Sequence, residues 1–328
     1  MYDLKDIVGH SNIKEFFHNV LTSKKIPHAF IFEGEKGCGK MLTAKSFAKM
    51  LQCSEDEYGV CGRCKSCIQM ENGNQPDVIV VNKSKNIMTI KDIRDGLVND
   101  IQVKPHAGPY KIYIIPEVHL LREDAQNAIL KTIEEPPEYA IIILLTENAE
   151  TLLATIRSRC VTLKFNMVDT IKIKKFLMDK YDIPEYQART SAIFADGNIG
   201  KAIRYAENED FMEIKTQVVS LFKSIKDISE FELMKDAKKI AENKDNINEY
   251  FDLIQLWFRD ILIYKSALDE DMILFREDME DIKRMANLYE YDHIDQIFNA
   301  ISETRASIKL NVNVELLLEI LLTKIKNR

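Results

Sequence analysis

The sequence predicts an α/β domain with a parallel sheet at its start and an all-helical domain at its end. Three observations support this fold class. Short apolar runs alternate with helical patterns over residues 1–165. A glycine-rich pattern typical of phosphate-binding loops follows the first apolar run. Residues 201–328 contain neither glycine nor proline, so nothing in that stretch interrupts a helix.

Four apolar runs are the predicted strands. They lie at 29–32, 78–81, 112–115 and 141–145. Because each run is apolar throughout, we expect parallel strands that are buried on both faces. Residues 41–51, which follow the first run, place their apolar side chains on one helical face. Alternating strands and helices predict a parallel sheet wrapped by helices.

The chain divides into three predicted domains. Residues 1–165 form the α/β domain, 166–207 a small helical region, and 208–328 an all-helical domain. Near the end of the chain, apolar side chains recur at the spacing of a helix with one buried face, and Asn313 is its expected N-cap. The apolar positions of this helix are Leu318, Leu321, Leu322 and Ile325.

Composition excludes several classes of protein. The chain has 328 residues, of which 46% are hydrophobic and 30% charged, and this is neither disordered nor fibrous. The net charge of −7 argues against a protein that grips DNA by itself. The longest apolar run, 140–145, is too short to cross a membrane. We expect a cytoplasmic protein with reduced thiols, so its six cysteines need an explanation other than disulfides.

The segment 34–40 fits the pattern G-x-x-x-x-G-K. In such a loop the backbone N–H groups face phosphate oxygens, and the lysine reaches the β- and γ-phosphates. The pattern lies between a predicted strand and a predicted helix, which is the context that such a loop requires. The candidate nucleotide-binding residues, for ATP or ADP, are Gly34, Gly37, Gly39 and Lys40.

Two positions that would hold magnesium are changed. The residue after Lys40 is Met41 instead of a serine or threonine whose hydroxyl ligates Mg²⁺. The strand at 112–115 runs into Pro116 and Glu117, so the expected aspartate is a proline and only a degenerate acidic position remains at Glu117. Mg²⁺ and hydrolysis are therefore not expected. Two interpretations stay open: the loop is retained for its turn, or it still binds nucleotide.

Four cysteines follow the predicted phosphate-loop helix within a short segment. Their spacing is C-x7-C-x2-C-x2-C, and four thiolates this close in sequence suit tetrahedral Zn²⁺. Four protein ligands leave no open position on the metal, so we predict a structural site. An iron–sulfur cluster is the alternative, although the C-x3-C-P continuation that is usual for that motif is missing. Free thiols or disulfides are a third interpretation. The predicted ligands are Cys53, Cys61, Cys64 and Cys67.

Three segments together resemble one protein family. They are 108–111, 126–137 and the run Thr-Ile-Arg-Ser-Arg-Cys at 155–160. The chain resembles the AAA+ clamp-loader subunits of bacterial DNA polymerase III. The resemblance implies an AAA+ phosphate-loop domain with a zinc module inserted at 53–67, then a helical lid, and then an all-α collar that forms oligomers.

The resemblance also implies partners and a division of labour. The partners would be tau/gamma and delta subunits, with the sliding clamp and primed DNA reached through the complex. Some subunits of this family hydrolyse ATP and others do not, and the changes at Met41 and Pro116 favour the second kind. The Ser-Arg-Cys motif implies that Arg159 acts in trans, as an arginine finger at a neighbouring tau/gamma ATP site. The alternative is that Arg159 only pairs with a surface carboxylate. The nearby Arg157 serves as a comparison, because we expect it to be a solvated or interface charge without a role in catalysis.

Two functions from other classes remain as alternatives. An active tau/gamma-like AAA+ ATPase predicts magnesium-dependent turnover by the isolated chain. A zinc-dependent nucleic-acid-binding module predicts salt-sensitive DNA binding that is lost when Cys64 is replaced.

Overall fold

A computed structural model gives the fold of the protein. It describes residues 3–56, 59–84, 88–267, 272–308, 310 and 312–327.

The chain forms two compact units. The first comprises Met1–Glu185 and Ala195–Ala202, and the second comprises Tyr186–Phe194 and Ile203–Arg328. The three-domain division at residues 165 and 207 stays a prediction.

The first unit is built on a five-stranded sheet in which every neighbouring pair is parallel. The strands are β1 Ala29–Glu33, β2 Val78–Val80, β3 Lys111–Ile115, β4 Ala140–Thr146 and β5 Val161–Lys164. Their order in the sheet is β2-β3-β4-β1-β5. This confirms the predicted α/β class and all four predicted strands.

Two features of the sheet differ from the prediction. Burial on both faces holds for β3 and β4, whereas the three residues of β2 are only half-buried because this strand forms one edge. The strand at the opposite edge, β5, was not predicted. Its sequence Val-Thr-Leu-Lys exposes Thr162 and Lys164 and buries Leu163, so it carries no continuous apolar run.

Helices cover both faces of the sheet, and alternate side chains of each strand point to opposite faces. Phe30 and Phe32 belong to the core on one face with Phe17 and Phe47, while Ile31 belongs to the core on the other. The helices are α1 Ser11–Ser23, α2 Lys40–Leu51, α3 Lys65–Glu71, α4 Ile90–Ile93, α5 Glu123–Glu134, α6 Ala154–Arg157 and α7 Thr170–Tyr181. Helix α2 confirms the predicted helix at 41–51.

Two further helices, α8 Glu185–Phe194 and α9 Ile199–Glu207, each contain residues of both units. Helix α9 begins in the first unit, which extends to Ala202, and ends in the second.

The second unit is helical, as predicted for the end of the chain. Asn313 caps the last helix by accepting from Leu316 N, and the four predicted apolar positions are buried, so this prediction is confirmed. The helices are α10 Phe211–Ser224, α11 Glu230–Glu242, α12 Ile247–Ala267, α13 Met279–Leu288, α14 Tyr291–Ile308 and α15 Val314–Lys326.

A charge network lies inside the second unit. Arg204 at the end of α9 pairs with Glu249 at 2.8 Å and with Asp252, both on α12. Arg305 and the Tyr205 hydroxyl donate to the same Asp252 carboxylate, both at 2.7 Å. The Arg204 guanidinium is therefore held by carboxylates of its own unit.

Among the described residues, every helix is too short or too polar to span a bilayer.

Candidate functional site

The glycine-rich segment forms a loop between β1 and α2, as the sequence predicts. Gly37 and Gly39 have φ values of +93° and +99°, a conformation that favours glycine. Gly39 is the N-cap of α2, so the loop leads directly into the positive end of a helix. The backbone thus has the geometry of an anion-binding loop.

Lys40 folds back over this loop. Its ammonium donates to the carbonyl of Gly34 and, at 2.7 Å, to that of Glu35. The Cys38 thiol lies 3.8 Å from the same nitrogen, and burial raises the pKa of that thiol. An ammonium has three donors, and here two go to carbonyl oxygens and the third to the Cys38 sulfur, so Lys40 would have to release one of these partners to reach a phosphate.

Two side chains from distant parts of the first unit hold the loop from outside. His10 Nε2 lies 3.2 Å from the Cys38 carbonyl, and the pKa of this imidazole is lowered by burial. Asn198 donates from Nδ2 to the Lys36 carbonyl at 2.8 Å. The loop is therefore fixed by the chain around it.

The metal-binding position after Lys40 has no usable oxygen. Met41 is half-buried and packs against the core. The nearest hydroxyl, on Thr43, is fully buried, and its oxygen has no hydrogen-bond partner among the described residues. Thr43 is thus turned into the protein and not towards the loop opening.

At the end of β3, Pro116 is followed by Glu117 in a left-handed conformation, φ +52°. The Glu117 carboxylate accepts from Lys83 Nζ at 3.0 Å. This hydrogen bond is the main cause of the lowered pKa of Glu117, and the charge of Lys36 adds to it. Glu117 is therefore an ionised group that already has a cationic partner, which reduces its value as a base or metal ligand.

The four predicted metal ligands come together. Their sulfur atoms all lie within 4.8 Å of one another, and Cys61 Sγ and Cys67 Sγ are 3.9 Å apart. Four thiolates at about 2.3 Å from a zinc ion would be about 3.8 Å from each other, so these four thiols could hold a metal ion. Residues 57 and 58, between Cys53 and Cys61, lie outside the described part of the chain.

The cluster is formed by the turn that starts α3. Gly62 has φ +73°, and Cys64 is the N-cap of α3. Backbone N–H groups donate to the sulfur atoms, for example from Cys67 to Cys64 at 3.4 Å. Burial opposes ionisation of Cys64, but the donors from Ser54 and Cys67 outweigh it and lower the pKa of this thiol to about 6. The environment therefore favours a thiolate at Cys64, the form that binds metals, whereas burial and the neighbouring sulfur atoms raise the pKa of Cys67.

Arg159 lies on the surface just after α6. Its guanidinium donates to the Thr155 carbonyl at 3.0 Å and to the Ser158 hydroxyl at 3.2 Å, and it pairs with Glu134 of α5 at 3.2 Å. Both charged side chains are about 40% exposed. Exposed ion pairs contribute little, about 0–1 kcal/mol, so Arg159 can exchange Glu134 for another anion. Arg157 is also exposed.

Four residues at these sites were not predicted, namely His10 and Asn198 on the phosphate loop, Lys83 beside Glu117, and Glu134 beside Arg159. Each is remote in sequence from its partner, so no local spacing indicates it. The nearest signal for Asn198 is its place between Gly197 and Gly200, a segment whose composition predicts a turn.

A phosphate loop between a parallel strand and a helix, followed by a helical unit, defines a phosphate-loop protein of the AAA+ class. Two family models match the chain: "DNA polymerase III, delta subunit" over residues 9–169, and "DNA polymerase III, delta subunit, C terminal" over residues 209–327. The chain belongs to the clamp-loader subunit family of bacterial DNA polymerase III.

Two relatives from Bacillus subtilis differ in how much of their own length the chain covers. The chain is 27% identical over 311 residues to DNA polymerase III subunit delta', and the match covers 94% of this chain and 93% of the relative. It is 33% identical over 321 residues to DNA polymerase III subunit tau, covering 87% of this chain. The chain therefore spans nearly all of delta' but only 56% of tau.

Among solved structures, a DNA polymerase III gamma subunit-related protein from Thermotoga maritima is similar to the chain. The two are 17% identical, the match covers 96% of this chain and 99% of the other, and the TM-score is 0.48.

Proposed function

We propose that the chain is a delta'-type clamp-loader subunit that helps load the sliding clamp on primed DNA without hydrolysing ATP itself. The observation that carries this proposal is Met41, because a thioether replaces the hydroxyl that would ligate Mg²⁺. The burial of the Thr43 hydroxyl supports it, since this next hydroxyl along the sequence lies inside the protein and cannot substitute. Its partners would be tau/gamma and delta subunits, and its location the cytoplasm.

The state of the second magnesium position agrees with this proposal. Pro116 offers no side-chain oxygen, and the Glu117 carboxylate is paired with Lys83. Phosphoryl transfer depends on a metal ion to neutralise developing charge. Gly34, Gly37, Gly39 and Lys40 would at most bind ATP or ADP.

The chain would contribute to catalysis through Arg159, which would act in trans as an arginine finger at the ATP site of a neighbouring tau/gamma subunit. Its exposure and its exchangeable partner Glu134 support this role. A guanidinium placed at the transferring phosphoryl group stabilises negative charge in the transition state.

The metal at Cys53, Cys61, Cys64 and Cys67 would be a structural zinc ion. Four sulfur ligands at the observed spacing support this assignment. When bound, zinc would supply a crosslink between the end of α2 and the start of α3, because Cys53 follows the first helix and Cys64 caps the second.

The alternative is an active tau/gamma-like ATPase, which the 33% identity to subunit tau favours. The deciding experiment measures ATP hydrolysis by the purified chain, first alone and then with tau/gamma and delta subunits, sliding clamp and primed DNA. We expect no turnover by the chain alone and stimulated turnover in the mixture. Robust magnesium-dependent turnover by the chain alone would overturn the proposal in favour of the alternative.

A further inference from the structure

Residues 195–202 are attached to the phosphate loop by one buried side chain. Asn198 is 1% exposed. Its Nδ2 donates to the Lys36 carbonyl at 2.8 Å and lies 3.4 Å from the Glu35 carboxylate. Its Oδ1 accepts from the Lys201 N–H at 3.1 Å and so caps the start of α9. A single amide thus serves both the loop and the helix.

A backbone contact runs beside this side chain. The Gly200 N–H donates to the Gly37 carbonyl at 3.0 Å. A Cβ at Gly200 would lie 2.9 Å from the Gly37 Cα, and a Cβ at Gly37 would lie 2.6 Å from the Asn198 Oδ1. Neither position has room for a side chain.

This contact explains a glycine that the phosphate-binding pattern does not require. In G-x-x-x-x-G-K the fixed positions are filled by Gly34, Gly39 and Lys40, and Gly37 occupies a variable one. Gly37 is needed for its positive φ and for the close approach of Asn198 and Gly200.

All of these partners belong to the chain itself. The Lys36 and Gly37 carbonyls are peptide groups of the loop. We infer that Asn198 is a positioning residue that fastens residues 195–202 to the phosphate loop through the loop's own peptide groups, so that the attachment needs no bound nucleotide. The phosphate loop then serves as the attachment site for residues 195–202 of the same unit. This inference goes beyond the proposed function and holds whether or not the chain loads clamps.

The test is hydrogen exchange on the purified full-length chain, read in peptides that cover 34–40 and 196–202. Asn198→Asp keeps an oxygen for the Lys201 N–H, removes the donor to the Lys36 carbonyl and places a second negative charge beside Glu35. We expect exchange in both peptides to be faster by about tenfold or more, since a buried hydrogen bond is lost. Wild-type protein should protect both peptides without nucleotide.

Asn148→Asp is the matched control. Asn148 also caps a helical turn, by accepting from Glu150 N at 2.8 Å, but within the described part of the chain its side chain makes no bond to the phosphate loop. We expect its exchange in both peptides to match the wild type. Unchanged exchange in Asn198→Asp, or wild-type protection that appears only after MgATP is added, would overturn the inference.

A double-mutant cycle separates the contact from backbone strain. Gly37→Ala adds a methyl group that meets the Asn198 Oδ1 and also strains a positive φ. In an Asn198→Ala background only the strain remains. We expect Gly37→Ala to speed exchange less in that background than in wild type, whereas equal effects would contradict a direct contact.

Discussion

At the scale of single residues, Asp77 shows how one carboxylate can order a distant loop. Asp77 is fully buried and immediately precedes β2. It accepts from the backbone N–H groups of His106, Ala107 and Gly108 at 2.6, 2.8 and 3.0 Å. Burial raises the pKa of this carboxyl, but the three N–H donors outweigh that effect and hold the pKa below its usual value. Asp77 therefore fixes the segment that leads into β3.

We expect Asp77→Asn to lower the free energy of unfolding by about 2 kcal/mol, because an NH₂ group would replace one accepting oxygen and face buried N–H donors. Urea unfolding at neutral pH, followed by far-ultraviolet circular dichroism, measures this loss. The exposed Asp179 supplies the control, since Asp179→Asn removes a charge without removing a buried bond.

The same substitution has a predicted pH dependence. The folded pKa of Asp77 is depressed, so its contribution to stability is present above the unfolded pKa and is lost as pH falls through the lower folded value. We expect the difference between wild type and Asp77→Asn to shrink below about pH 4. A difference that grew with acid would contradict a stabilising carboxylate.

Arg159→Ala tests the trans role of this arginine. In the assembled complex we expect turnover at the neighbouring ATP site to fall by about 10³-fold, because transition-state charge loses its cationic partner. The measurement is DNA-stimulated ATP hydrolysis, with size-exclusion chromatography to show that assembly is intact. Arg157→Ala is the matched control. If Arg159→Ala left hydrolysis unchanged, the side chain would have only its surface pairing with Glu134.

At the scale of elements, the sequence predicted what depends on local pattern. The apolar runs predicted β1 to β4, and the spacing near Leu318 predicted α15. Strand β5 was missed because Thr162 and Lys164 are polar and exposed, so Val161 to Lys164 alternates instead of being continuously apolar like the run that predicted the other edge strand, β2.

In the candidate site, too, the sequence predicted only the parts that depend on a local pattern. The phosphate loop and the four cysteines lie in continuous segments whose spacing carries the chemistry. The contacts of Asp77 and Asn198 could not be predicted, because their partners lie about 30 and 160 residues away in the sequence. Only the fold brings them together, and peptide groups have no residue type that a pattern could indicate.

The cysteine cluster yields a prediction for the α2–α3 segment. We expect the purified chain to contain about one zinc ion, and Cys64→Ser to remove it and to lower the melting temperature, because three ligands hold the metal less tightly than four. Elemental analysis and thermal unfolding measure the two effects. A strong chelator should destabilise the wild type and leave Cys64→Ser unaffected.

Cys160→Ser is the matched control for this prediction. Cys160 is half-buried and lies outside the cysteine cluster, packed against the core on the face of the sheet that contains Ile31. We expect it to leave the zinc content unchanged. Iron and visible absorbance in the wild type would instead indicate the iron–sulfur alternative.

At the scale of the whole molecule, the charge bears on what the chain can do alone. The net charge is −7, with 45 basic and 52 acidic residues. At the cysteine cluster, the exposed Arg63 pairs with Glu55 at 2.8 Å, so its charge is partly compensated. Affinity for DNA comes largely from cations that neutralise phosphates. A chain of this composition is suited to act through partners.

We therefore expect the isolated chain to bind primed DNA with a dissociation constant weaker than about 10⁻⁶ M at physiological salt, because it lacks the excess of cations that drives nonspecific binding. Fluorescence anisotropy with labelled DNA measures this, and a mixture with tau/gamma and delta subunits should bind more tightly. Cys64→Ser should leave the weak binding of the isolated chain unchanged. Tight, salt-sensitive binding by the chain alone that disappears in Cys64→Ser would instead identify a zinc-dependent nucleic-acid-binding module.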